Sequence, residues 1–285
     1  MISQEIEFFA PKELAEALAI LQRHGGNARA LSGGMTLVPM MTLGIAQPEA
    51  IVSLNHIAAL DYVVEAPEVI RIGAMTRHRT LETNPLIARQ FPLLAEAASH
   101  IGDVQVRHRG TIGGSLAHSD PAADYPPIML ATGARMKIAS TAGERWVAAR
   151  DYFKGLMQTD LQPGELLVEI EVPKLAGKFG SGYQRLHRIE GNFSIVNAAA
   201  VIEKGFRSVR LALGGVGETA ILVEVEKHLK NGLSDAALQA VSDAAHAAAK
   251  DAPADLNGDS GYRQAMARVY AQRAVKLAAA SVPAN

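Results

Sequence analysis

The chain contains no cysteine. That excludes disulfides, thiolate nucleophiles and cysteine-held zinc or iron–sulfur centres within it. Any redox chemistry must therefore use an organic cofactor or the metals of a partner. An excess of either charge is also missing: 28 Lys+Arg against 29 Asp+Glu leave a formal net charge of −1. Such a balance provides no electrostatic footprint for nucleic acid. No apolar run approaches the ~20 residues of a bilayer span. The opening "MISQEIEFFAPKELAEAL" lacks a basic region followed by an apolar one, so no signal peptide is read there and the cytoplasm is the expected location. What is present is 285 residues, 48% apolar and 20% charged, enough for roughly two domains with sizeable cores.

Apolar patterning predicts a strand at "IEFFAP", then a helix from Pro11 whose stripe of Leu14, Ala17, Leu18 and Leu21 ends at Gly25–Gly26. Strands are expected at 28–31 and 50–54, and a hairpin over 60–75 turning at Ala66–Pro67. Helices follow at about 77–83, 92–101 and 124–133, and strands at "ARMKIAS", "RWVAAR" and "ELLVEIEVP". Lys174 to Gly182 is rich in Gly, Lys and Ser and is taken as a boundary. Beyond it stand three strand candidates, "GYQRLHR", "SIVNAAAVIE" and "SVRLALGGV", then helices at about 219–232, 234–249 and 260–280. No fixed-period repeat is found, and the only biased tract is the alanine-rich helix at 236–249.

Two loops stand out, "LSGGMTLVPMM" (31–41) and "TIGGSLAHSDPAAD" (111–124); the second reads as neither ordinary helix nor strand. A double glycine lets backbone approach a ligand closely and adopt positive φ, and successive N–H groups in such a turn form an anion-binding nest. Thr36 and Ser115 would each add a hydroxyl, and a helix following the first loop would add its dipole. Two nests would bracket a pyrophosphate without any lysine. Taken singly, each is more often a plain turn than a phosphate site, and neither matches GxGxxG or the Walker pattern. His118, Asp120 and Asp124 invite a metal, but no second ligand group stands at recognisable spacing, so none is expected. A Ser–His–Asp hydrolase is disfavoured because no GxSxG elbow is present. His24, His56 and His78 read as surface or capping residues. Met35, Met40 and Met41 read as core packing, and Arg107, His108 and Arg109 as a basic patch balancing the loop's aspartates.

In these loops the chain resembles the FAD-binding medium subunit of molybdenum hydroxylases. The group includes aerobic carbon monoxide dehydrogenase, xanthine dehydrogenase and dehydrogenases of N-heterocycles and aromatic acyl-CoA esters. "SGGMTLVPMM" is similar to that family's AGGxSLxPxM, and "TIGGSLAHSDPAAD" fits its TIGGxxxxxDPxxD at every defined position. "LALGGVGETAILVEVEKHL" and "GYRQAMARVYAQRAVKLA" extend the likeness over nearly the whole chain.

The resemblance implies an α+β chain. Residues 1–175 would form a two-subdomain FAD-binding module of the vanillyl-alcohol-oxidase/PCMH type, with subdomains of about 1–56 and 57–175. Residues 176–285 would form a small α+β domain with an antiparallel sheet and helices. It further implies FAD contacts from Leu31, Ser32, Gly33, Gly34, Met35, Thr36 and Leu37, and from Gly110, Thr111, Ile112, Gly113, Gly114 and Ser115. Asp124 would accept hydrogen bonds from the nucleotide, Ile101 would pack on the cofactor, and Leu167 would lie near the isoalloxazine ring. Arg185 would supply a cation favouring reduced flavin, Phe193 would lie near the ring, and His118 falls nearby without a defined role. Ser32, Thr36 and Met35 depart from the family's usual alanine, serine and His or Gln, and "IVNAAAV" lacks the usual glycine after valine.

The 2Fe–2S clusters would then belong to a small partner subunit and the molybdopterin to a large one, assembled as a dimer of heterotrimers. No residue of this chain would be catalytic, and the substrate pocket would lie in another chain. The "GGSLAH…D" wording leans toward the carbon monoxide and N-heterocycle branch. Two other readings are a stand-alone PCMH-type flavin oxidase and a non-redox dinucleotide-binding protein.

Overall fold

The computed structural model describes residues 5–175 and 177–283. Residues 1–4, read above for a leader, Ala176 in the expected boundary, and residues 284–285 lie outside the described residues. Three sheets carry the fold. In the first, the strand Ala50–Ser53 lies parallel between Glu7–Phe9 and Ala28–Leu31. The helix Leu14–His24 covers it, burying Ala17, Leu18, Ile20 and Leu21 as its apolar spacing requires.

The second sheet is antiparallel, in the order Val63–Glu65, Val69–Gly73, Leu166–Pro173, Arg135–Ser140 and Gly143–Ala148. Helices His78–Thr83, Pro85–Gln90 and Pro92–Ser99 build the core beside it, the second capped by Asn84, whose side chain accepts from the N–H groups of Leu86 and Ile87. The helix Tyr125–Thr132 is buried at all eight positions, because it lies between this sheet and the third.

The third sheet runs Phe179–Leu186, Val196–Glu203, Ser208–Gly214 and Ile221–Val223, all antiparallel. Its central strand, Val196–Glu203, is buried along its whole length because both faces are covered. Ala199 and Val201 join the core shared with the second sheet, while Ala198, Ala200 and Ile202 face the helices Asp235–Ala248 and Ser260–Ala280. Among the described residues, no helix is long and apolar enough to cross a membrane.

Four expectations are corrected. Residues 112–118 form a helix, Ile112–His118, nucleated by Thr111, whose side chain accepts from the N–H of Gly114. The helix expected over 219–232 is an edge strand, Ile221–Val223, pairing with Leu211–Leu213, followed by the short helix Glu226–Leu229. The third sheet starts at Phe179, inside the expected boundary, where Gly180 and Gly182 let the helix Ser260–Ala280 sit close on the strand. A Cβ on Gly182 would lie 2.4 Å from the Ala274 carbonyl oxygen. Finally, His78 is buried, its ring under Gly110 and its Nδ1 sharing a 2.9 Å hydrogen bond with the Tyr125 hydroxyl. The helix expected after the first loop is Leu37–Thr42, whereas Pro85–Gln90 and Val104–Arg109 have no counterpart in the sequence reading.

The first sheet meets the second unit where the two glycine loops touch, and Gly33 is the tightest point. A Cβ there would lie 2.4 Å from the Arg109 carbonyl oxygen and 2.6 Å from the Gly110 Cα. Gly33→Ala is expected to destabilise the chain by about 1–3 kcal/mol in urea unfolding, since backbone cannot rotate aside. Gly26→Ala, with nothing within 4 Å of the added carbon, should stay within about 0.5 kcal/mol. His78 gives a second test. Burial, then the neighbouring Arg77 and Arg107, hold its imidazole down at about 3, against 6.5 ordinarily. The unfolded chain therefore binds a proton that the folded chain refuses, and stability falls as pH drops below about 6.5. Urea melts from about pH 6 to pH 4 should show the wild-type chain losing up to about 1.4 kcal/mol per pH unit more than His78→Gln.

Candidate functional site

The seam between the loops opens into a cavity of about 840 Å³, within the range of small-molecule and cofactor sites. The first loop leaves the strand Ala28–Leu31, turns at Gly34 with φ +74°, and enters the helix Leu37–Thr42. A residue with a Cβ is strained at that φ. Among the described residues, the N–H groups of Gly33, Gly34, Met35, Thr36 and Leu37 donate to no protein acceptor, and no side chain caps the helix. Five consecutive open donors at a cavity wall need an acceptor from outside the fold.

The second loop differs. The N–H of Ile112 donates to the Thr76 carbonyl at 3.0 Å and that of Gly113 to the Ala74 carbonyl at 2.9 Å. The N–H groups of Gly114 and Ser115 donate to the Oγ1 and carbonyl oxygen of Thr111, each at 3.1 Å. Its glycines serve close approach: a Cβ on Gly113 would meet the Ala74 carbonyl oxygen at 2.5 Å, and one on Gly114 the Ser32 Oγ at 2.5 Å. The two loops are also tied through side chains. Asn55 Nδ2 donates to the Ser32 carbonyl at 3.0 Å, Arg77 donates to Asn55 Oδ1 at 2.9 Å, and Arg77 also donates to the Arg109 carbonyl.

Leu31 to Leu37, Ile101, Gly110, Thr111, Gly113, Gly114, Ser115, His118, Asp124, Leu167 and Phe193 all line the cavity. Ile112 and Arg185 do not. Ile112 opens the helix that Thr111 caps and turns into the core, fully buried. Arg185 lies behind Asp124, donating to the His100 carbonyl at 2.8 Å, to the Asn192 carbonyl, and to Asp124 Oδ2 at 3.5 Å. It is thus a strut between segments and presents no cation to the cavity.

Asp124 itself is buried, and its Oδ1 accepts from the Tyr183 hydroxyl at 2.5 Å and from Ser194 Oγ at 2.8 Å. Burial pushes its carboxyl above the usual range, against the pull of Arg185, Tyr183, Ser194 and His100. Asp120 closes its own turn, accepting from the Ala122 N–H at 2.8 Å. Among the described residues, no group of three His, Cys, Asp or Glu could hold a metal ion. Met35 and Met40 line the cavity rather than the core.

Sequence reasoning missed Asn27, Arg29, Glu49, His78, Glu165 and Asn192, which also line it. Asn27 and Arg29 stand just before the first loop, a position that signals proximity. The others arrive through tertiary packing and carry no local pattern. Asn27 Nδ2 donates to Glu49 at 2.9 Å, making one wall polar, while Ile101, Leu167 and Phe193 supply apolar surface.

Residues 4–175 match the family model for the FAD binding domain in molybdopterin dehydrogenase, and residues 181–278 that for the CO dehydrogenase flavoprotein C-terminal domain. The carbon monoxide dehydrogenase medium chain of Hydrogenophaga pseudoflava is 39% identical over 283 residues, 98% of either chain. The glyceraldehyde dehydrogenase medium chain of Sulfolobus acidocaldarius is 34% identical, over 97% of this chain and 99% of the relative. Among solved structures, carbon monoxide dehydrogenase from Hydrogenophaga pseudoflava superimposes with a TM-score of 0.96 at 40% identity, covering 99% of this chain and 100% of that one. Quinoline 2-oxidoreductase from Pseudomonas putida 86 gives 0.89 at 32% identity, covering 98% and 99%. The chain therefore belongs to the FAD-binding medium chains of molybdenum hydroxylases, the flavoprotein subunits of multi-subunit oxidoreductases.

Proposed function

We propose that FAD lies in this cavity with its pyrophosphate on the open N–H groups of Gly33 to Leu37. The observation that carries the reading is that donor row, beside a wall where only glycine lets backbone come close. The donors are uncharged and fixed, which suits a dianion that must be held without competing proton exchange. Gly110, Thr111, Gly113, Gly114 and Ser115 form the facing wall, and Asp124 accepts from N–H or O–H groups of the cofactor. Ile101, Leu167 and Phe193 pack against the ring system, and His118 lies nearby.

Bound FAD supplies redox chemistry that accepts electrons singly and delivers them in pairs. This chain's residues hold the cofactor, shield it and leave part of its edge open; Phe193, 58% exposed, stands at that opening. None needs to act as an acid or base toward a substrate. The partners we infer are a small 2Fe–2S subunit and a large molybdopterin subunit, assembled as a dimer of heterotrimers in the cytoplasm. The relatives named as medium chains favour that reading over a stand-alone oxidase. Substrate oxidation by carbon monoxide or N-heterocycle chemistry would fall to the large subunit. Within the chain we infer a division near residue 175, supported by the ranges of the two family matches and by the separate sheets.

Three outcomes are expected. The purified full chain should be yellow, with a flavin absorption spectrum, or should bind added FAD; a colourless chain that takes up none overturns the reading. Affinity purification from its source should recover an iron–sulfur subunit and a molybdenum subunit, whereas a chain that oxidises an organic substrate alone supports the oxidase. Gly114→Val should abolish flavin retention, because its side chain must displace Ser32 and Thr111 where the loops meet; normal flavin content in that variant would contradict the packed-loop wall.

A further inference from the structure

We propose that the C-terminal sheet sets the charge of the cofactor cavity: Tyr183 and Ser194 are positioning residues that keep Asp124 an ionised acceptor toward FAD. The inference rests on the reading that FAD occupies this cavity. Asp124 lines the cavity from the FAD-binding part of the chain and is 5% exposed. Its three side-chain donors all come from beyond residue 180. Tyr183 lies on the strand Phe179–Leu186, and Ser194 lies just before the strand Val196–Glu203.

Magnitudes separate the three. Arg185 reaches Asp124 only at 3.5 Å and spends its other bonds on the His100 and Asn192 carbonyls. Tyr183 at 2.5 Å and Ser194 at 2.8 Å both donate to Oδ1. A hydrogen bond to the charged form favours it, and inside a protein such bonds are stronger than in water. A carboxyl this deep is neutral by default, so removing either donor returns it toward the protonated state, in which it donates instead of accepting.

The surrounding charges act together with these donors: the buried Arg185 guanidinium is the strongest pull on the carboxyl toward its charged form, and Tyr183 and Ser194 add to it. Tyr125, on the helix Tyr125–Thr132, is fully buried, and its hydroxyl shares a hydrogen bond with His78 Nδ1. Burial and Asp124 push the Tyr125 and Tyr183 phenols well up, so neither becomes an anion beside the carboxylate. Glu82 bears on Tyr125 from the helix His78–Thr83. His100, after the helix Pro92–Ser99, attracts the carboxylate, and its ring nitrogens are engaged by Glu96 and Glu190. Arg185 is the remaining cation facing Asp124 among the described residues.

The test is the pH dependence of FAD affinity, read by flavin fluorescence as the apo full chain is titrated from about pH 9 to about pH 5.5. The wild-type chain should hold its affinity across most of that range. Tyr183→Phe should lose affinity as pH falls, by up to about ten-fold per pH unit, the limit for one proton-linked acceptor. The double variant Asp124→Asn/Tyr183→Phe should be weaker but flat, since an amide does not titrate. A purely structural tie would lower affinity by the same factor at every pH. A Tyr183→Phe profile parallel to wild type, or a slope that survives in the double variant, overturns the proposal. Should Tyr183→Phe bind no FAD at any pH, the Ser194→Ala profile decides by the same criteria. A wild-type chain that binds no FAD overturns the reading of the cavity itself, and the proposal with it.

Discussion

The whole arrangement depends on one contact, the backbone-to-backbone approach of residues 32–34 and 109–114. Gly33 lies against the Arg109 carbonyl and Gly110, and Gly114 against Ser32. The space at this seam is smaller than a methyl group. Closing it joins the small parallel sheet to the larger antiparallel unit and holds the open N–H groups of the first loop at the cavity wall. The Asn55–Arg77 bridge ties the same carbonyls from the side, so the loops are fixed by hydrogen bonds as well as shape. A site that takes a flexible dinucleotide gains affinity from such rigidity, because less ordering remains to be done on binding.

A second constraint is the thinness of the third sheet. Its central strand is rich in alanine, and Gly180 and Gly182 on the neighbouring strand accept the closely packed helix Ser260–Ala280. Small side chains let helix, sheet and the buried helix Tyr125–Thr132 stack closely, so one sheet serves two cores. The same closeness brings Tyr183, Arg185 and Ser194 up to Asp124. The C-terminal part is therefore wall and scaffold at once: its inner face finishes the site that the first 175 residues begin.

Periodicity made much of this legible. The 14–24 helix, the alternating strand at 166–173 and the two long C-terminal helices follow from spacing, and the paired loops picked out a large part of the cavity lining, though less than half. Glycine was the ambiguous letter. In "SGGMT" it leaves donors open; in "TIGGS" the donors are consumed by the Ala74 and Thr76 carbonyls and by Thr111, and glycine serves contact; in "FGSG" it seats a helix on a strand. One local signal thus had three meanings, and only the neighbour in space decides among them. Ile112 and Arg185 illustrate the same limit. Each stands beside site residues in sequence, yet helix phase turns the first inward and carbonyl partners hold the second behind Asp124. The short strand Ile221–Val223 exists because it pairs with the strand before it, Ser208–Gly214, information its own three residues do not carry.

Charge explains why the site is built from backbone. A lysine-lined pocket would hold a dianion through long flexible side chains that must be ordered on binding. Backbone N–H groups neither titrate nor need ordering once the loop is fixed. Two of the titratable groups that touch the cavity, His78 and Asp124, are shifted by their surroundings. His78 is kept neutral by burial and by flanking arginines, so it adds no charge that varies in the physiological range. Asp124 is the opposite case, a group that burial alone would neutralise and that its donors draw back toward the charged form. The first is fixed by exclusion of water and the second by hydrogen bonds across the boundary between the two parts of the chain. Packing thus acts on the charge of the cavity at two points, one inside the FAD-binding part of the chain and one from the C-terminal sheet.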